Sequence, residues 1–139
     1  MQNQLDLETA RAFLADNFAP WVLDLRPELI SCENGAARID IPITNHIKRV
    51  GDIVCGQTMG ALADTTMVFA CFSHMKKFAA IATTTLDTQF LRPASGDKLS
   101  CSANIERAGK AIFFLHANIF TYPNSKLVAR STATFFRPS

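Results

Sequence analysis

Apolar and polar positions alternate with two different periods along this chain, and the switch between them divides it into elements. In residues 6–17 (DLETARAFLADN), Leu7, Ala10, Phe13 and Leu14 recur at helical spacing, which predicts a short amphipathic helix with Asp6 as its N-cap. A loop holding Pro20 and Trp21 follows, with the indole expected to lie against the core. Residues 29–33 and 36–43 read as two strands joined by Asn34-Gly35, a two-residue turn signal because both residues tolerate positive φ. In the second strand Ala37, Ile39, Ile41 and Ile43 alternate with Arg38 and Asp40, giving one buried face.

After a polar loop, TNHIKRVGD, the alternation disappears. From Gly56 to about Met75 the residues are mostly Ala, Leu, Met, Phe and other small or apolar types, which predicts a helix. It is apolar nearly all round, so it is expected to be buried rather than to lie on a surface. Period-two alternation then returns in four strands, at 81–91, 98–107, 110–122 and 127–136, separated by turns at 108–109 and 123–125. Helix, hairpin, buried helix and a run of strands indicate an α+β fold with an antiparallel sheet curled around the buried helix. No repeat, linker or low-complexity segment interrupts residues 1–139, which read as one domain.

Composition narrows the function classes. Of 139 residues, 48% are hydrophobic and 19% charged, which places the chain among folded globular proteins. A formal net charge of +2 with no basic run longer than two residues argues against a nucleic-acid partner. Cys32, Cys55, Cys71 and Cys101 form no C-x-x-C pair and have no histidine at zinc-ligand spacing, so neither a metal nor a cofactor is expected. The polar, acidic N-terminus is unlike a signal peptide, and no apolar stretch is long enough to cross a bilayer. The expectation is a cytoplasmic protein with free thiols and no membrane partner.

The chemistry concentrates in residues 50–72, VGDIVCGQTMGALADTTMVFACF, where a lone carboxylate, Asp64, is embedded in small and apolar side chains. A buried carboxylate is costly unless it is hydrogen-bonded, paired or neutralised. Two readings stand side by side: Asp64 caps backbone or pairs with an arginine, or it is a reactive base or nucleophile whose pKa is raised by Leu62, Ala63 and Met67. Gly56 opens the helix, where backbone N–H groups lack partners and the macrodipole is positive. Its missing side chain either permits close packing or lets a carbonyl oxygen reach the N–H, as in an oxyanion hole. Eight residues at a rise of 1.5 Å put Asp64 about 12 Å along the helix from Gly56, too far for both to touch one reacting carbon. The two therefore have unrelated roles, or Asp64 works with Gly56 of a second copy, across a two-fold axis that relates antiparallel helices.

Four stretches together resemble the hotdog-fold acyl-CoA thioesterases, in particular the branch of the phenylacetate-pathway thioesterases. They are GDIVCGQTMGALAD (51–64), TTTLDTQFLRPA (83–94), RAGK (107–110) and KLVARSTATF (126–135). The resemblance implies a curved antiparallel sheet of about five to six strands around a long central helix, and hydrolysis of an acyl-CoA by a homodimer or a dimer of dimers. It implies Asp64 as base or nucleophile and the Gly56 N–H as the group that polarises the thioester carbonyl. Relatives carry His-Gly-Gly where this chain has Cys55-Gly56-Gln57, and often an Asn in the preceding loop, for which Asn45 and Arg49 are the nearest candidates. Thr83 matches a hydroxyl residue that holds the base or a water, although Thr84 and Thr85 stand beside it.

The remaining candidates are weaker individually. Cys55 at a helix start could be a nucleophile, but no His accompanies it, and a small buried filler is the ordinary role. Gln57 could donate to the thioester oxygen or cap the helix. Lys76, Lys77, Arg92, Arg107 and Lys110 are candidates for the CoA phosphates, and Met59, Met67, Phe69 and one of Phe113 or Phe114 for an acyl pocket or plain core. Two other classes compete with the thioesterase: a non-catalytic acyl-CoA- or lipid-binding hotdog protein, and a hydratase or dehydratase. The latter needs an acid–histidine pair, and the helix has no His before His74.

Overall fold

A computed structural model of the chain describes residues 5–138. Helix α1 (Leu7–Asn17) starts at Asp6, whose carboxylate accepts the Thr9 N–H at 2.8 Å, as a capping aspartate does. The expected loop at Pro20 is instead a single helical turn, α2 (Pro20–Leu23), with Pro20 in its first turn, where a fixed φ and a missing N–H cost nothing. This turn corrects the expectation for Trp21. Its indole is 58% exposed and lies outside the buried cluster to which Leu14, Leu25 and Leu29 belong.

Strands β1 (Glu28–Glu33) and β2 (Ala36–Pro42) form the predicted hairpin, with both turn residues at positive φ, 55° at Asn34 and 80° at Gly35. The polar loop after β2 holds a short 3₁₀ turn and a minimal ladder, β3 (Lys48–Arg49) with β4 (Ile53–Val54). Helix α3 then runs Gly56–Met75, the predicted span. Strands β5 (Ala82–Phe90), β6 (Lys98–Ala108), β7 (Ile112–Tyr122) and β8 (Lys126–Phe136) complete one antiparallel sheet in the order β1-β2-β6-β7-β8-β5.

The sheet wraps α3. Leu62, Ala63, Met67, Phe69, Ala70 and Cys71 on the helix are at most 2% exposed. Facing them are Ile39, Ile41, Leu99, Cys101, Leu115, Ile119 and Phe135, also at most 2% exposed. Phe113 belongs to this core while Phe114 points outward, as strand alternation requires. Met67 and Phe69 are likewise fully buried core residues. Burial pushes the thiols of Cys71 and Cys101 up to about 12 and that of Cys32 to about 11, so these three remain protonated packing groups.

Strand β5 differs from its neighbours. It is an edge strand of nine residues, and all but Thr88 are exposed. Edge strands are normally short, charged, bulged or covered, since an open row of N–H and C=O groups templates pairing with another chain. The opposite edge, β1, follows that practice, with a bulge between Leu29 and Ser31 and exposed Glu28 and Glu33.

Candidate active site

Helix α3 begins where two backbone bonds pin the chain. The Cys55 N–H donates to Ile47 O at 2.9 Å and the Val54 N–H to Ala94 O at 3.0 Å, fastening the helix start to the loop after β5. Cys55 is the N-cap in extended conformation, and its Sγ lies 3.1 Å from Thr58 Oγ1. Gly56 is the first helical residue, so its N–H has no partner four residues back. The Phe90 ring packs directly on it: a Cβ at Gly56 would lie 3.2 Å from Phe90 Cζ and 3.3 Å from Cε1. Any larger residue at this position would press the ring back by a few tenths of an ångström.

Beside this contact is a cleft of about 440 Å³ whose lining includes Gly56, Met59, Phe90, Arg49, Arg92 and Ala94. Two guanidinium groups and no carboxylate face it, a composition suited to phosphate oxygens. Arg49 donates through Nη1 to Val50 O at 2.7 Å. A cavity of about 470 Å³ between the start of α1, β1 and the end of α3 is slightly larger, but of the candidate site residues its lining includes only Lys76.

Asp64 lies two turns along α3 and is half-buried. Its carboxylate accepts a 2.7 Å hydrogen bond from the Thr83 hydroxyl, and no arginine, lysine or backbone N–H among the described residues pairs with it. Burial pushes the carboxyl above its ordinary value, against the Thr83 bond, which lowers it. A β-bulge makes Thr83 the partner. Phe90, Thr88 and Leu86 alternate onto the helix side of β5, so unbroken alternation would present Thr84 there. The register shift between Thr83 and Thr85 moves Thr83 to that side instead. Thr84 and Thr85 turn to Thr134 on β8, at 2.6 and 2.8 Å between hydroxyls.

The other sequence candidates are dispersed. Gln57 is exposed in the first turn of α3. Asn45 is exposed in the 3₁₀ turn and does not line the cleft, whereas Arg49 does. Arg107 and Lys110 lie at the β6–β7 hairpin. That hairpin is at the Gly35 and Ser73 end of the molecule, opposite the Gly56 cleft, since Ile105 bonds Gly35 and Gly35 bonds the Ser73 hydroxyl. None of the three histidines pairs with Asp64: His46 is in the 3₁₀ turn, His74 packs edge-on against Phe113, and His116 contacts Glu106. Sequence reasoning passed over Phe90. Its signal was the same parity, because Leu86, Thr88 and Phe90 alternate toward the helix.

The two ends of β5 thus carry the two groups of candidate residues, Asp64–Thr83 at its start and Gly56–Phe90 at its finish. The sequence pattern of the thioesterase superfamily matches residues 51–128, more than half of the chain and the whole region between the two half-sites. A Thermoplasma volcanium protein named as a candidate esterase is 24% identical over 124 residues, covering 89% of this chain and 90% of its own. Among solved structures, the Escherichia coli PaaI protein of the phenylacetic acid degradation operon superposes with a TM-score of 0.83 at 24% identity, over 95% of this chain and 92% of that one. Zebrafish thioesterase superfamily member 2 does so with a TM-score of 0.85 at 18% identity, over 97% and 100%. At these identities the structural likenesses establish the fold, and the superfamily pattern establishes the kinship. The chain belongs to the thioesterase superfamily, as a hotdog-fold thioester hydrolase.

Proposed function

We propose that the protein hydrolyses acyl-CoA thioesters at two equivalent sites, each shared between two copies of the chain. The observation that carries this reading is the placement of the two half-sites at opposite ends of an unprotected edge strand. Two β5 strands paired antiparallel about a two-fold near their midpoints bring Thr83 and Asp64 of one copy beside Phe90 and Gly56 of the other. The same pairing closes both open edges. Within one chain the half-sites stand about 12 Å apart along the helix, a gap the second copy removes.

In this site the partner's Gly56 N–H receives the thioester carbonyl oxygen, assisted by the positive end of its helix. Thr83 occupies one oxygen of the Asp64 carboxylate and fixes its rotation, leaving the other to take a proton from water. The hydroxide so formed adds to the carbonyl carbon, and charge collects on the oxygen held by the Gly56 N–H. Collapse breaks the C–S bond, and the CoA thiolate recovers the proton from Asp64. A carboxylate whose pKa is raised by desolvation is better matched to this proton transfer near neutrality than an ordinary aspartate. Arg49 and Arg92, at the rim of the Gly56 cleft, are the candidates to hold the CoA phosphates.

The test uses purified protein with acetyl-, hexanoyl-, phenylacetyl- and palmitoyl-CoA, alongside Asp64→Ala and Asp64→Asn. Loss of the general base lowers kcat by about 10²–10⁴. Full activity in Asp64→Ala would sink the mechanism, and binding without turnover across the panel would sink hydrolysis in favour of a non-catalytic acyl-CoA-binding protein. Single turnover in ¹⁸O-water places label only in the released acid when Asp64 acts as base. Label in Asp64 itself would make it the nucleophile.

A further inference from the structure

Resting on the shared-site reading, we infer that Gly60 lies on the two-fold axis, facing its own copy, and that its missing side chain sets the spacing between the two halves of each site. Gly60 is inside the 20-residue helix α3, where glycine is a poor helix former. Neither backbone nor packing within the chain calls for it: its φ is ordinary, and an added Cβ would meet no atom within 4 Å. Gly56 differs, since there the Phe90 ring occupies the space. A second copy supplies a reason for this glycine that the described residues of the chain itself do not.

Symmetry identifies it. If the partner's Gly56 stands level with Asp64, antiparallel helices place the residue midway between 56 and 64 opposite itself, and that residue is Gly60. The same axis falls on the open edge of strand β5. Thr83 contacts Asp64 and Phe90 contacts Gly56, and midway between positions 83 and 90 are Leu86 and Asp87, the centre about which β5 would pair with its own copy. The helix face that turns away from the core carries Gln57, Gly60, Ala61, Asp64 and Val68, all short except Gln57. Helices packed about 8–10 Å apart, with Cα atoms on cylinders of about 2.3 Å radius, leave facing Cα atoms only about 3.5–5.5 Å apart. That separation admits hydrogens but no larger pair of side chains. Bulk at position 60 would part the helices and draw each Asp64 from the partner's Gly56, making Gly60 a positioning residue.

The experiment is cysteine cross-linking of the full chain in a Cys55→Ser background, the three other cysteines being buried. Facing Cα atoms about 3.5–5.5 Å apart have to part by only about an ångström to reach the ~4.4–6.8 Å that a disulfide spans. Gly60→Cys is expected to give a disulfide-linked dimer under mild oxidation. Val68→Cys, on the same face, is expected to give none, since its Cα would stand about 24 Å along the axis from its own copy. A dimer in which Gly60→Cys fails to link, or Val68→Cys links equally, overturns the inference while leaving Asp64-dependent hydrolysis standing. Linking at Gly60→Cys in a protein that hydrolyses no acyl-CoA upholds the axis and rejects the substrate class. A protein that sediments as a monomer rejects both the axis and the shared site. As a second readout, Gly60→Leu is expected to lower kcat for hexanoyl-CoA at least about tenfold with KM little changed, and Gly60→Ala less. Wild-type kcat in Gly60→Leu would also overturn the inference.

Discussion

Substituting Gly56 by Ala separates the two roles open to this glycine, close packing and access to its N–H. The added Cβ would lie 3.2, 3.3 and 3.8 Å from three carbons of the Phe90 ring, where unstrained carbon contacts begin near ~3.5 Å. The ring must retreat by a few tenths of an ångström. Phe90 is 54% exposed and at a strand end, so it can yield. The stability cost should fall at or below the low end of the ~1–3 kcal/mol typical of overpacking, partly offset by alanine's better helix propensity. For a chain of this size that is a Tm change of about 2–4 °C per kcal/mol. The catalytic effect is larger if a carbonyl must reach the N–H. A helical Cβ tilts toward the N-terminus, the side from which the substrate oxygen would come, and loss of one such donor costs about 2.7–4 kcal/mol, or 10²–10³ in kcat.

The assay is a double-mutant cycle with Gly56→Ala, Phe90→Ala and the pair, measuring kcat for hexanoyl-CoA and thermal unfolding in parallel. Removing the ring clears the space that the Cβ needs. If the glycine serves packing alone, the pair returns to the activity of Phe90→Ala. The carbonyl-polarising role requires the pair to stay near Gly56→Ala, about a hundredfold or more below wild type, while the unfolding temperature recovers. Recovery of kcat in the pair would refute the assignment of Gly56 to the carbonyl.

A shared site predicts complementation. Asp64→Ala and Gly56→Val, each inactive alone, should regain roughly a quarter of wild-type activity after refolding together, because half the dimers are mixed and each of those holds one intact site. No recovery, with mixed dimers shown by mass, would place both groups in one chain. The Thr83 bond lowers a carboxyl that burial has raised, so Thr83→Val should move the acid limb of kcat to higher pH, and Thr84→Val should leave it in place. Equal shifts in both variants would contradict the bulge geometry. Because the folded protein holds the Asp64 proton more tightly than the unfolded chain does, this group favours folding most at low pH. That contribution is lost as pH rises through the ordinary carboxylate range and on through the raised folded value. Asp64→Asn should therefore stabilise the protein at neutral pH and lose that advantage near pH ~3, as read by urea unfolding at both values. A stability gain independent of pH would mean that the charge is not its source.

How much of this was legible in the sequence depends on whether a feature is local. Helix α3 was readable end to end because apolar density without alternation leaves no other element, and the Asn34-Gly35 turn because two positive-φ residues in succession permit few others. Trp21 was misjudged: a large aromatic after a loop suggests core, but Pro20 starts a helical turn whose outward side takes the indole. The positions of Arg107 and Lys110 follow from which end of the sheet the β6–β7 hairpin occupies, and that is topology, which no local pattern encodes.

The reactive pair shows the same division within one site. The distance from Gly56 to Asp64 could be read from spacing alone, because a helix has a fixed rise, and that distance already left either unrelated roles or a second chain. The hydroxyl that holds Asp64 could not. Three consecutive threonines carry equal strand propensity, and the choice among them is made by one extra residue in the β5–β8 ladder. Nor could the exposure of β5 be read, since ATTTLDTQF would serve equally well as an inner strand. Only the sheet order shows that its free side is open. The spacing on the helix and the open side of the strand are therefore independent observations. In the proposed shared site both fit one symmetry axis, between Asp64 and Gly56 on α3 and between Thr83 and Phe90 on β5. The midpoints coincide because contacts within the chain join Thr83 to Asp64 and Phe90 to Gly56, and what the open strand adds is a free edge on which a second copy can pair.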